Sequence, residues 1–406
     1  MSNVLGSDTF EGVTVLDLTR LLPGPFATML FADLGARVIK VESRRDGDYA
    51  RWTPPRVVDG QDGYGAFFEA LNRGKESVAV DLKRPEGRRL LADLVRNADV
   101  LIESFRPGVL ERLGFGEPEL RRLNARLIVC RITGYGQDGP ASTRAGHDLN
   151  FLARSGALGL MGPADGPPAI PAVQVGDIAG GALNAAFAVV AALYRRERKA
   201  IGATIDISMT EGVLAMLGPH IGICSETGDV PVRGGDTLSG GVPAYRVYET
   251  SDGRHLAVGA LEPKFWLHVC RELGLEEHAF SGVAGGDAGK ETARAVASVI
   301  AAEPLAHWLE VFSEVDACVE PVKSLDEVIS DELFIARGAL RKGPGGRHVA
   351  LPPTSRGVEG VEARPVPLLG QHTVALARAC GWTAEEIEAA LDSGAIAGSA
   401  TPQPGA

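Results

Sequence analysis

Gly12-Val13-Thr14-Val15-Leu16-Asp17-Leu18-Thr19-Arg20 opens the pattern that decides the architecture. Residues 13–19 form a short apolar run of the kind a buried strand uses. Leu21-Leu22-Pro23-Gly24-Pro25 is a tight loop, residues 26–34 have helical spacing, and Gly35 stands where a helix C-cap belongs. Arg37-Val38-Ile39-Lys40-Val41-Glu42 then reads as a second strand. Strand, helix and strand in one short span make a β-α-β unit, which implies parallel strands and a right-handed crossover.

The alternation continues outward from this unit. Residues 77–82, 99–105, 126–133 and 203–209 read as strands, with a helix over 85–96 that opens on Pro85, short helices over 107–113 and 118–124, an apolar helix over 178–194 and another from Thr210. This predicts a large, doubly wound, Rossmann-like α/β domain. Residues 44–70, rich in Gly, Pro and Arg, are expected to form a long loop. Beyond residue 224 the composition shifts to Gly, Ser and Asp, then a hairpin turning on Asp252-Gly253 and helices over 263–273, 290–302 and 304–312 predict a smaller α+β domain. The expected boundaries are 1–200 for the large domain, 201–242 for a linker, 243–325 for the small domain, and 326–406 for a Gly/Pro-rich connection and C-terminal segment returning to the large domain. That segment carries an amphipathic helix over 383–391, and residues 398–406 are expected to fray.

The 406 residues are 45% hydrophobic and 23% charged, which is ordinary globular composition. A net charge of −11 argues against non-specific binding to nucleic acid or an anionic membrane. Residues 37–106 differ, with 14 Lys and Arg against 12 Asp and Glu, so a phosphate-bearing ligand is expected there. The five cysteines are scattered without a C-x-x-C, a usage that fits a reducing, cytoplasmic setting and no zinc site. The N-terminal residues lack the basic and apolar regions of a signal peptide. Residues 178–194 are almost wholly apolar, but they are short for a membrane span, rich in Ala and Gly, and followed by Arg195-Arg196-Glu197-Arg198-Lys199; a buried helix with cations at its C-terminus is expected.

Chemistry concentrates between Gly134 and Gly181. Gly134-Tyr135-Gly136-Gln137-Asp138-Gly139 matches a dinucleotide fingerprint, but Pro140 and a polar loop follow where that site needs a helix, so a loop approaching another ligand is expected. His147, in Gly146-His147-Asp148, can both take and give a proton near neutral pH. Asp177, in Val175-Gly176-Asp177-Ile178, precedes a long apolar helix; the plain reading is an N-cap, and a helix N-terminus would keep its carboxylate ionised. Glu262 ends a strand before a Pro-initiated helix, the position of an ordinary surface residue. Lys40, Arg44, Arg45, Arg73, Lys75 and Arg106 are the cations of the basic stretch, and Arg106 stands out because it follows a buried strand and precedes a helix start, the edge where α/β folds bind phosphates.

At these residues the chain resembles the family III CoA-transferases and the α-methylacyl-CoA racemases among them. The resemblance covers nearly the whole chain and is carried by residues 12–20, Asp33-Leu34-Gly35 through Glu42, Asn72-Arg73-Gly74-Lys75, Asp81-Leu82-Lys83, residues 98–103 and 105–114, Gly134-Tyr135-Gly136, residues 316–322 and residues 369–373. Where transferases of this kind carry G-Y-D, this chain has Gly146-His147-Asp148, as racemases do; Asp177 and Glu262 also match the racemase pattern. Phe151 departs from the Tyr that tends to end that motif, and Ser43 stands where an Arg often follows the second strand, so that Arg44 takes that place.

The resemblance implies acyl-CoA as ligand, with CoA the carrier part of the substrate and no metal or redox cofactor. It implies His147 and Asp177 as two acid/base groups on opposite faces of the α-carbon, with Glu262 favouring the imidazolium, and Arg106, Lys40, Arg44, Arg73, Lys75 and Tyr135 on the CoA. The rival reading is a CoA-transferase in which Asp177 attacks the thioester and carries CoA, with His147 a neighbour. A CoA-binding scaffold without turnover is disfavoured because each catalytic position is filled. The resemblance further implies an interlocked homodimer threaded by linkers near 195–242 and 325–370.

Overall fold

The computed structural model describes residues 5–60 and 62–398, so the segment expected to fray lies, but for Gly398, outside the described residues. The chain divides into two compact units, one of residues 1–151, 174–215 and 332–406, the other of residues 152–173 and 216–331.

In the first unit, β1 (Thr14–Leu18), β2 (Arg37–Ser43), β3 (Glu76–Val80), β4 (Val100–Glu103), β5 (Ile128–Thr133) and β6 (Ala203–Ser208) form one parallel sheet in the order β3-β2-β1-β4-β5-β6, and the short strand Ile396–Ala397 pairs antiparallel with β3 at its edge. The central strands β1, β4 and β5 read as near-continuous apolar runs because both faces are covered, whereas the edge strand β6 alternates with exposed Thr204 and Asp206. On one face Leu16, Leu101 and Val129 pack with Leu90, Leu91 and Leu94 of α2 (Pro85–Arg96). On the other Val15, Val100, Ile102 and Ile132 pack with Phe31 of α1 (Pro23–Asp33) and with Ala185 and Val189 of a later helix. The chain runs outward from β1 through β2 to β3 and returns to β4 on the far side of β1. The carboxyl ends of β1 and β4 therefore diverge, and a doubly wound sheet binds its ligand in that crevice.

Three expectations change. The segment 44–70 is not an irregular loop but holds a 3-10 turn at Tyr49–Trp52, a small hairpin of Arg56–Val58 with Tyr64–Gly65, and a helix at Ala66–Asn72. It has its own core of Ala50, Tyr64 and Phe68, and the fully buried Arg51 lies over the Phe68 ring at 3.9 Å and pairs with Glu42 at 2.7 Å. The expected 201–242 linker contains β6, an integral strand of the main sheet, followed by the helices Met209–Met216 and Gly218–Thr227. The second unit also draws in residues 152–173, which the expected boundaries gave to the large domain.

The apolar helix begins earlier and ends later than its composition suggests, as a π-helical stretch Gly176–Leu183 that continues into the α-helix Asn184–Lys199. It is not wholly buried. Ala185, Val189 and Leu193 face the sheet, while Leu183, Phe187, Val190 and Tyr194 make an exposed apolar stripe on another face. By length and composition this helix could cross a membrane, but one of its faces is packed into the first unit. Its C-terminal Arg196 pairs with Asp99 at 2.8 Å.

The second unit is a three-stranded antiparallel sheet of β7 (Tyr245–Glu249), β8 (His255–Gly259) and β9 (Val319–Pro321), turning at Asp252-Gly253 as expected, with helices Pro263–Leu273, Gly286–Ile300 and Leu305–Val311 around a core of Trp266, Val296 and Trp308.

Beneath the first crevice lies a fully buried charge network. The Asp17 carboxylate accepts from Thr19, Thr28 and Lys75, and Lys40 pairs with Asp48 at 2.9 Å and lies 3.8 Å from Asp17. Burial alone would raise the Asp17 carboxyl, but the two ammonium groups and the hydroxyl donors hold it well below the usual range. Breaking a buried ion network from one side leaves the remaining charges unpaired. Asp17→Asn is therefore expected to lower the stability of the fold by about 3–5 kcal/mol, measured as the shift of the urea unfolding midpoint at constant m.

Candidate functional site

The site is built from two turns tied together by one carboxylate. His147 stands before the helix Asp148–Ser155; its carbonyl accepts from Asn150 and Phe151, and its own N–H is accepted by Asn150 Oδ1 at 3.0 Å. That reciprocal bonding fixes the start of the helix. Asp148, nine-tenths buried, turns its Oδ1 to the backbone N–H of Asp177 at 2.9 Å. Gly176 makes this approach possible, since a Cβ there would lie 2.9 Å from Asp148 Oδ1. The glycines around His147 have a different use. A Cβ on Gly134 would lie 2.4 Å from the Phe151 ring, and one on Gly146 would meet Phe151 and Tyr135 at 2.8 Å. They make room for an aromatic pair, Tyr135 edge-on to Phe151 with centroids 5.3 Å apart, that seats the His147 turn on the sheet.

Asp177 is not the N-cap. The helix begins one residue earlier, with Val175 in the capping position, and Asp148 accepts from the Asp177 N–H in its first turn. Instead of being held ionised, the Asp177 carboxyl is pushed up to about 7, first by burial and then by repulsion from Asp148. Both protonation states are therefore within reach near neutral pH, as an acid/base group needs. The π-helical turn carrying it is a rare form that often marks a functional site.

His147 and Asp177 line one cavity of about 570 Å³ in the first unit, together with Arg20 and Leu21 after β1, Phe105 and Arg106 after β4, and Thr133 and Gly134 at the end of β5. This is the crevice at the reversal of strand order. Glu262 belongs to the second unit, where it is exposed at the start of helix Pro263–Leu273.

The basic residues separate sharply. Arg106 is exposed on the cavity wall, on a turn held by Glu103 Oε2, which accepts the Phe105 N–H at 2.7 Å. Lys40 and Lys75 are fully enclosed, and their ammonium groups are spent on Asp48, Asp17, Asn72, Thr28 and backbone carbonyls. Burial draws Lys75 down to about 8, with Asp17 opposing. Arg73 is buried against Asp33 at 2.6 Å, and Arg44 packs against Gly394. Lys40, Arg51, Arg73 and Lys75 of this basic stretch are thus spent on internal partners. Tyr135 packs on Phe151. Sequence reasoning passed over Arg20, Arg144 and Glu103; Arg20 follows β1 at the strand-order reversal, which was the signal available for it. Among the described residues no group of His, Cys, Asp and Glu is arranged to hold a metal ion.

Residues 10–373 match the model of CoA-transferase family III. The chain belongs to this family. It is 35% identical to the human α-methylacyl-CoA racemase, over 93% of this chain and 94% of the relative. It is also 36% identical to the mouse succinyl-CoA:glutarate CoA-transferase, over 89% and 84%, and 34% identical to the acetyl-CoA:oxalate CoA-transferase of Acetobacter aceti, over 90% and 94%. Among solved structures it is similar to a CAIB/BAIF family protein from Brucella suis, with a TM-score of 0.79 and 28% identity, covering 91% of this chain and 99% of that one. The chain is thus an enzyme of a family that holds both racemases and CoA-transferases, and acyl-CoA is the substrate type the family implies.

Because the folded Asp177 carboxyl titrates near 7 and an unfolded one near its ordinary value of 3.8, the folded state binds the extra proton between those values. Stability then falls as pH rises through that window. Asp177→Asn is expected to remove this dependence, leaving the protein more stable than wild type by up to about 4 kcal/mol at pH 8 and by almost nothing at pH 3.5, as read from paired denaturant titrations across that range.

Proposed function

We propose that this protein is an acyl-CoA racemase that inverts the α-carbon of a 2-methyl-branched acyl-CoA by proton removal on one face and return on the other. The observation that carries the reading is that His147 and Asp177 line one cavity, on turns locked by the Asp148 bond, with the Asp177 carboxyl poised near neutrality. A two-base transfer needs one protonated and one free group, and the Asp177 carboxyl, pushed up to about 7, is able to fill either role. One of them takes the α-proton, the thioester carbonyl becomes an enolate, and the other returns a proton to the opposite face. The Asp148 and Leu149 N–H groups, in the first turn of helix Asp148–Ser155 beside His147, are the donors assigned here to the enolate oxygen. Glu262 enters on the resemblance alone, as a carboxylate favouring imidazolium at His147. No cofactor beyond the CoA of the substrate belongs to this chemistry. Cytoplasmic location and an interlocked homodimer are part of the same proposal, and the exposed stripe of Phe187, Val190 and Tyr194 supports a covered helix in an assembly.

The second reading, CoA transfer through Asp177, is supported by relatives of similar identity whose names specify that reaction. Incubation with 2-methylacyl-CoA in deuterated water separates the two. α-Deuterium uptake with loss of chirality is expected; CoA transfer to an added carboxylate without label would sink the racemase. His147→Ala should reduce exchange by at least about 100-fold, the scale of a lost general acid/base, whereas a transferase would keep most of its rate. The exchange rate should also bend near pH 7 as Asp177 titrates, which a rate profile between pH 5 and 9 would register.

A further inference from the structure

We propose that Arg20 is an oxyanion-binding residue of this cavity, holding a phosphate or carboxylate of the bound acyl-CoA. The proposal rests on the acyl-CoA reading but not on the choice between racemase and transferase. Three arginines line the cavity, Arg20, Arg106 and Arg144, and among the described residues none of them forms an ion pair with a protein carboxylate. Arg106 and Arg144 are exposed, whereas Arg20 is half-buried and its backbone is locked.

The lock comes from both neighbours in the chain. Thr19 carbonyl accepts from Lys40 Nζ at 3.0 Å, and the Leu21 N–H is accepted by both oxygens of Asp48 at 3.0 and 3.2 Å. Lys40 and Asp48 are themselves a buried pair at 2.9 Å, so the residues on either side of Arg20 are tied to one enclosed ion pair. Leu21 has φ of +63°, a left-handed conformation that a leucine rarely adopts without being held there. Tyr49, next to Asp48 in the chain, continues the support outward: the Arg20 guanidinium lies 5.3 Å from its ring centroid, and Nη1 donates to its hydroxyl at 3.3 Å.

An arginine on a surface is ordinarily solvated and mobile. Here its backbone is fixed by buried charge, its side chain is stacked, and its remaining N–H groups have no acid partner. A planar fork of donors presented in this way matches an oxyanion. A phosphate of CoA and a carboxylate at the far end of a dicarboxylic acyl group share that chemistry.

The test is calorimetric binding of CoA, isobutyryl-CoA and succinyl-CoA to wild type, Arg20→Gln and Arg20→Lys, with thermal unfolding of each. Arg20→Gln is expected to weaken binding about 10- to 100-fold with an unchanged unfolding midpoint, and Arg20→Lys to recover part of the loss. Equal weakening for all three ligands identifies a phosphate; weakening confined to succinyl-CoA identifies an acyl carboxylate. Unchanged affinity for all three, or a lowered midpoint with unchanged affinity, overturns the proposal. If wild type binds none of the three, the acyl-CoA reading itself fails and takes this one with it.

Discussion

The bond from Asp148 Oδ1 to the Asp177 N–H is the constraint on which the site depends. It joins the turn that carries His147 to the helix that carries Asp177, so the two backbone segments are held to each other. It also places a second carboxylate beside Asp177 in a half-buried setting, and that repulsion adds to burial in raising the Asp177 carboxyl to about 7. One interaction thus ties the two segments together and adds, after burial, to the raised Asp177 carboxyl. Its cost in sequence is Gly176, where any side chain would press on the Asp148 oxygen.

Around that bond the fold supplies a floor. The loop from Arg20 to Pro25 forms one wall of the cavity and the start of helix Pro23–Asp33, and it rests on Asp17, Lys40, Asp48 and Lys75, none of them appreciably exposed. Placing four charges where an α/β sheet ordinarily keeps aliphatic residues is costly unless every donor and acceptor is matched. Here they are matched densely: the Lys75 ammonium alone meets Asp17, Thr28, Asn72 and the Pro25 carbonyl. Such a network gives little net stability compared with an apolar core, but it tolerates only one arrangement of the loop above it.

The sheet was legible in the sequence because its physics is local. Apolar runs at β1, β2, β4 and β5, the Pro85 helix start and the Asp252-Gly253 hairpin each declare themselves without reference to distant residues. What was not legible depends on partners far apart in the chain. Lys40 and Lys75 look like surface cations until Asp17 and Asp48 are seen to enclose them. Segment 44–70 looks irregular until Arg51 is buried between Glu42 and Phe68. His147 and Asp177 were legible as residue types, but that their glycine neighbours make room for Phe151 and Asp148 was not. The N-cap reading of Asp177 failed because the helix begins at Gly176, with Val175 in the capping position, so that Asp177 already lies in its first turn.

The proton state of Asp177 does not by itself separate the two reactions open to this family. Repulsion from Asp148 favours any step that removes the negative charge from Asp177. Protonation by an α-carbon acid does so, and so would esterification in an anhydride or thioester. The same electrostatics would drive either intermediate. What differs is the need for a second proton carrier. A nucleophilic carboxylate that takes up and releases CoA has no use for a histidine fixed to the same frame, whereas inversion at carbon cannot proceed without a group on the other face. The capped, aromatic-seated turn that holds His147 is therefore the feature that gives the racemase reading its weight.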